Sequence, residues 1–154
     1  MNKKLKLGIS ACLLGHKVRY DGGHKLEPLL VETLGQYVQF VPVCPEVEAG
    51  LTVPREPAHL EGPPGSARMI TQKTGNDITD QVLSGVQKRL EQLSKENLCG
   101  FVFKSNSPSC EIKGGIFARA FSEYFPHIPT ATEKNLRDKE RLGKFIQRAL
   151  KIKS

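Results

Sequence analysis

A single-domain, three-layer α/β sandwich with a mostly parallel sheet and a small edge hairpin is the fold class that the sequence predicts. Three observations predict it. Short apolar runs at 5–10, 37–43 and 100–104 read as buried strands, and leucines and valines at helical spacing lie between them. Each run also ends in a loop of small, polar or proline residues. Such alternation lays parallel strands side by side with helices on the sheet faces. A chain of 154 residues with 38% apolar content can build one such core, so residues 1–154 read as one domain, of which about 125–154 form a basic helical extension.

In chain order, Leu5-Lys6-Leu7-Gly8-Ile9-Ser10 is the first strand, and Cys12 lies just past it. After the turn Asp21-Gly22-Gly23, Leu26, Leu29, Leu30 and Leu34 recur at helical spacing and stop at Gly35, which predicts a helix over about 25–34. The second strand, Tyr37 to Val43, is rich in β-branched and aromatic residues, and Cys44 stands at its exit beside Pro45. Residues 51–66 hold Pro54, Pro57, Pro63 and Pro64 with Gly62 and Gly65, a composition that predicts a loop. Residues 68–71 and 77–79 flank Lys73-Thr74-Gly75-Asn76, which reads as a hairpin turn. Val82, Leu83, Val86, Leu90 and Leu93 mark one face of a helix over about 80–97. The third strand, 100–104, runs into the polar loop Ser105-Asn106-Ser107-Pro108-Ser109-Cys110. Ile116, Phe117, Ala120, Phe121 and Tyr124 have helical spacing, and Thr130-Ala131-Thr132-Glu133 matches a capping box that would open a final helix containing Leu136, Phe145, Ile146 and Leu150.

Composition narrows the function classes. No apolar run approaches the ~18 residues that a membrane span needs, and the amino terminus does not have the pattern of a secretory signal, so a cytoplasmic protein with no membrane partner is expected. In a reducing compartment four cysteines point to metal or catalytic thiols rather than disulfides. The net charge is +7, but residues 134–153 carry eight basic and two acidic side chains and so hold most of the excess. That concentration reads as the solvated face of one helix, with an RNA or phosphate contact as the alternative that is not favoured.

Three cysteines share a context. Cys12, Cys44 and Cys110 each follow a strand, where the loops of an open α/β sheet gather ligands. They are too far apart in the chain for a local finger or ribbon and can meet only through the fold. Any one of them, taken alone, is more often a buried packing residue. Cys99 abuts a strand with no polar loop around it and reads as core. Four thiolates close a site, whereas three leave a coordination position for water or substrate; zinc and an iron-sulfur cluster both suit three cysteines at this stage.

Several segments together resemble the thiouracil desulfurase family: Ile9-Ser10-Ala11-Cys12-Leu13-Leu14-Gly15, Val18-Arg19-Tyr20-Asp21-Gly22-Gly23, Val41-Pro42-Val43-Cys44-Pro45-Glu46, Leu51-Thr52-Val53-Pro54-Arg55 and Ser107-Pro108-Ser109-Cys110. The resemblance spans about residues 5–125. It implies a Rossmann-like fold, a 4Fe-4S cluster on Cys12, Cys44 and Cys110 with one iron free of protein ligands, and conversion of 2-thiouracil-like compounds to the oxo form. On that reading the expected mechanism has thiocarbonyl sulfur bind the open iron, a Lewis acid, and water oxygen replace it. The chain departs from the pattern at Glu111, where glycine is common, and from about Phe125 onward. An iron without a protein ligand is open to oxidants, so an oxygen-sensitive protein is expected.

Beside those cysteines, Glu46 and Ser107 are the candidate catalytic residues. Glu46 lies two positions past Cys44, where a carboxylate can take and return a proton, and the resemblance also puts an acid there. Ser107 can hydrogen-bond substrate or cluster sulfur, its alternative role being turn chemistry around Pro108. Asp21, Arg55 and Ser109 are weaker substrate-binding candidates, and Arg55 and Lys104 can also neutralise an anionic centre. The four histidines show no metal-ligand spacing, and only His16, near Cys12, is a further candidate. The partner expected is a small thiolated molecule. The rival readings are sulfur handling on a thiolated nucleoside or tRNA, and a non-catalytic zinc- or cluster-binding regulatory module.

Overall fold

The computed structural model describes residues 5–112 and 114–151. Four strands form a parallel sheet in the order β2-β1-β5-β6: β1 (Leu5–Ser10), β2 (Val38–Val43), β5 (Leu98–Phe103) and β6 (Thr130–Thr132). Their connections carry α1 (Pro28–Gly35), α2 (Pro45–Glu48), α3 (Thr79–Ser94) and α4 (Ile116–Tyr124), and α5 (Lys139–Lys151) ends the described chain. A separate antiparallel pair, β3 (Ala58–Glu61) with β4 (Arg68–Thr71), forms the small hairpin. The expected α/β sandwich with a small hairpin is therefore present.

Two apolar clusters, one on each face of the sheet, hold the layers together. On one face Phe101 and Phe103 of β5 meet Phe117 and Phe121 of α4 and Val82, Val86, Leu90 and Leu93 of α3. The four rings pack with centroids 4.5–5.9 Å apart, a separation typical of tilted and edge-to-face aromatic pairs. On the other face Leu7, Ile9 and Val102 meet Leu30 and Leu34 of α1 and Phe145 and Ala149 of α5. Each fully buried aliphatic or aromatic side chain contributes about 1.5–3 kcal/mol relative to exposure. Gly8 of β1 lies directly under the Phe101 ring, where a Cβ would overlap the ring carbons, so the four-ring cluster depends on a residue with no side chain.

Several sequence expectations are corrected. Residues 58–61 lie in the stretch expected to be loop, yet they form β3. The prolines flank this segment instead of interrupting it, and β4 supplies its hydrogen-bonding partner. The hairpin is accordingly 58–61 with 68–71, and residue 77 touches β4 through a single bridge at Ile70. Thr130-Ala131-Thr132 is a strand and does not open the last helix: the β-branched residues extend the sheet along β5, Thr132 Oγ1 accepts the Asn135 N–H at 3.2 Å at the short 3-10 turn Asn135–Arg137, and the last helix starts at Lys139. Helix α1 starts only at Pro28, which suits a first helical position, and Leu29 is 79% exposed, so Leu30 and Leu34 alone form its buried face.

Strand order fixes where a ligand would gather. From β1 the chain passes to β2 on one side and later returns to β5 on the other, so the sheet changes direction at the carboxyl end of β1. Crevices at such a switch point are where open α/β sheets bind their ligands.

Candidate functional site

The switch point opens into a cavity of about 160 Å³ whose wall includes Cys12, Cys44, Cys110, Glu46, Arg55, Lys104, Ser107 and Ser109. Each thiol arrives on a different strand exit. Cys12 sits in the short 3-10 turn Ala11–Leu14 that follows β1, a turn closed by Gly15 in the left-handed region. Cys44 is the residue before Pro45 at the start of α2, and its N–H donates to Glu48 Oε2 at 2.7 Å. That bond satisfies a donor which the helix start leaves open. Cys110 ends the loop after β5, and the loop is tied to the first turn of α4. There Ile116 N–H donates to Pro108 O at 3.1 Å and Phe117 N–H to Ser109 O at 2.8 Å.

Burial governs the thiols. Desolvation pushes Cys12 up to about 11, with the Lys104 charge pulling the other way. Cys110 is pushed up to about 12 by burial against a Ser10 hydrogen bond that lowers it, and burial likewise raises Cys44. The charges of Cys44 and Cys12 raise Cys110 further, which reports that the three sulfurs share one neighbourhood. The three are free thiols. Among the described residues no three His, Cys, Asp or Glu side chains converge closely enough to hold a single metal ion. All three thiols line the one cavity.

Opposite the thiols runs a chain of polar contacts. Glu46 Oε1 accepts from Arg55 Nε at 3.1 Å, and its Oε2 accepts from the Ser109 hydroxyl at 2.9 Å. Arg55 also donates to Thr52 O at 3.2 Å and to Val18 O at 3.0 Å, so it ties its own loop to α2 and to the loop that follows Cys12. Both side chains of the pair are nearly enclosed, at 10% and 14% exposure. Ser107 Oγ accepts from the N–H groups of Ser109 and Cys110 at 3.3 and 3.2 Å and lies 3.2 Å from Ser109 Oγ. Its two acceptor positions are thus used by the loop backbone, while Ser109 directs its own proton to Glu46.

Asp21 stands apart from these residues. It is outside the cavity wall and makes the turn, accepting the Gly23 N–H at 2.9 Å and pairing with Arg19 at 3.3 Å. His16 is exposed and does not line the cavity. Cys99 is wholly buried in the apolar cluster beneath α5. Glu111 turns inward on its own loop and accepts the Asn106 N–H at 3.1 Å.

Sequence reasoning missed two residues. Ser10 accepts the Lys104 N–H at 2.9 Å and reaches Cys110. Glu133, read as half of a capping box, is 2% exposed and accepts from Ser105 N–H at 2.6 Å and Ser105 Oγ at 2.7 Å. The signal for Glu133 was there once β6 is seen as a strand, because it then follows a strand end just as the three cysteines do.

Fold and site define a class of protein: an α/β sheet with a thiol-lined, carboxylate-bearing cavity at its switch point. Comparison with known proteins identifies the class. The sequence profile of the 2-thiouracil desulfurase family matches residues 7–133, and the chain belongs to that family. It is 32% identical over 120 residues to the uncharacterized protein YbbK of Bacillus subtilis (strain 168), covering 74% of this chain and 78% of YbbK. It is similar in structure to the [4Fe-4S]-dependent thiouracil desulfidase TudS, with a TM-score of 0.74 and 28% identity, over 92% of this chain and 99% of that one.

Proposed function

We propose that this protein is a desulfidase that replaces the sulfur of a small thiocarbonyl compound of the 2-thiouracil kind with oxygen from water, using a 4Fe-4S cluster held by Cys12, Cys44 and Cys110. The observation that carries this reading is the meeting of three thiols from three neighbouring strand exits around one cavity that also presents Glu46. Membership of the 2-thiouracil desulfurase family and similarity to TudS support it.

The residues fit the group. Thiolates that bind different irons of one cluster stand wider apart than the ligands of a single zinc ion, whose Zn–S bonds are ~2.3 Å. Cys12, Cys44 and Cys110, from three strand exits in the wall of one cavity with Arg55 and Lys104 beside them, supply thiolate donors and nearby positive charge for such a cluster. The backbone of the Ser107–Cys110 loop is held by Ser107 Oγ and by α4, so the third thiol is fixed before loading. Once bound, the cluster would supply an electron-accepting iron that polarises the thiocarbonyl group.

This chain's own residues then manage water and protons. Glu46, kept in place by Arg55 and Ser109, takes a proton from the attacking water and returns it as sulfur departs. Atoms balance as thiocarbonyl plus water giving carbonyl plus hydrogen sulfide, with no net oxidation or reduction. The Ser107 hydroxyl, its acceptor positions filled by the loop, offers its proton to Ser109 or to a substrate acceptor in the cavity.

Anaerobic purification tests the reading. The expected product is a brown protein with about four irons and four sulfides per chain that converts 2-thiouracil to uracil and bleaches in air. Serine at Cys12, Cys44 or Cys110 should each abolish the cluster. A colourless protein with one tightly held zinc and no turnover of any thiocarbonyl compound would overturn it.

A further inference from the structure

Glu133 is the only buried carboxylate among the described residues, and the chemistry above makes no use of it. It stands at the carboxyl end of β6, and both oxygens are committed to Ser105, which follows Lys104 at the exit of β5. The Lys104 ammonium lies 3.6 Å from Glu133 Oε2 and donates to Ser105 O at 2.6 Å, while its backbone N–H donates to Ser10. A buried carboxylate is retained only where partners satisfy it, and here the partners are the two residues that begin the Cys110 loop.

Among the described residues three cations line the cavity: Arg19, Arg55 and Lys104. Arg55 spends its donors on Glu46, Thr52 O and Val18 O, and Arg19 is paired with the exposed Asp21. Lys104 has three ammonium protons. One goes to Ser105 O and one faces Glu133, which leaves a third without an acceptor among the described residues, on a side chain that is 17% exposed in the cavity wall.

We propose that Lys104, held by Glu133 as a positioning residue, is the cation that offsets the negative charge of the loaded centre. The inference rests on the reading that Cys12, Cys44 and Cys110 carry the cluster. Glu46 is already paired with Arg55, so the three thiolates carry the negative charge left in this partly desolvated cavity, where a nearby ammonium acts more strongly than in water. The same charge makes the cluster easier to reduce, because the net charge around a cluster sets its potential. Potential is a readout separate from turnover, since the proposed reaction moves no electrons.

The test is an electrochemical titration of the anaerobically purified protein, with iron and sulfide counted first. Lys104→Met should keep iron and sulfide near the parent level and shift the midpoint potential to more negative values, and Lys104→Arg should restore most of the shift. In a Glu133→Gln background the shift caused by Lys104→Met should shrink to less than half, because the ammonium is no longer held. An unchanged potential in Lys104→Met, with the cluster intact, overturns the inference alone; an undiminished shift in the Glu133→Gln background overturns the positioning role. A parent protein without iron and sulfide overturns the reading of the site and this inference together. Should Glu133→Gln fail to fold, the Met and Arg variants of Lys104 still decide whether the ammonium acts on the centre.

Discussion

Ser109 and Glu46 are 63 positions apart, yet the serine hydroxyl donates to Glu46 Oε2 at 2.9 Å while Arg55 holds the other oxygen at 3.1 Å. The carboxylate is gripped from two loops, one following β2 and one following β5. Removing one grip by Ser109→Ala should leave iron and sulfide in place but lower kcat more than it changes KM, because the orientation of Glu46 and not substrate contact is lost. Hydrogen bonds to charged groups are worth about 1.5–3 kcal/mol, so a loss of roughly 10- to 100-fold is expected. Steady-state kinetics on 2-thiouracil beside a metal count checks it; an unchanged kcat would leave Ser109 a loop residue only.

Glu46→Gln separates proton transfer from cluster binding. Glutamine keeps the size of the side chain and an acceptor for Ser109 but cannot take a proton from water. Turnover should fall by about 10²- to 10⁴-fold, the usual worth of a general acid-base group, while iron and sulfide content stays at the parent level. Parent-rate turnover in this variant would remove Glu46 from the mechanism.

How much of this was legible beforehand depended on where local pattern and tertiary pairing agree. β1, β2 and β5 announce themselves by apolar runs closed by small or proline residues, and the three cysteines could be placed at their exits from that pattern alone. β3 and β6 could not be read, because four and three residues make too short a period and their strand character comes from a partner. The misreading of β6 hid Glu133, whose position after Thr132 mimics a cap. The grip on Glu46 was half visible: Arg55 and Ser109 were named as ligands of substrate, and the fold sets both in the cavity wall with hydrogen bonds to the carboxylate.

Cys99 offers a contrast with the other thiols. Lys6 of β1 pairs with Leu98 but Leu7 pairs with Gly100, so Cys99 is the extra residue of a bulge in β5, with its side chain wholly buried on the α5 face. Cys99→Ala should retain full iron and sulfide and lower stability by about 1 kcal/mol through the lost packing, as measured by urea unfolding. Cluster loss equal to that of the Cys12 variant would mean that Cys99 serves the centre after all.

The empty protein should lose stability in alkali, and the sign follows from the thiols. An unburied cysteine ionises near 9.0, whereas burial holds Cys12 at about 11 and Cys110 at about 12 in the folded chain, with Cys44 also raised. Below pH 9.0 both states keep these protons and the contribution is whole. Between that value and the folded ones the unfolded chain releases protons that the folded chain keeps. Stability therefore declines as pH rises, by about 1.4 kcal/mol per unit for each thiol, and levels off once the folded thiols ionise. Coordination demands thiolates, so loading with iron and sulfide should become easier over the same range. Lysines and tyrosines titrate there too, and the variant with alanine at Cys12, Cys44 and Cys110 isolates the thiol part. Urea unfolding at about pH 8 and about pH 10 should show a steeper fall for the parent than for this variant. Equal falls would mean that the cavity does not hold its thiols neutral.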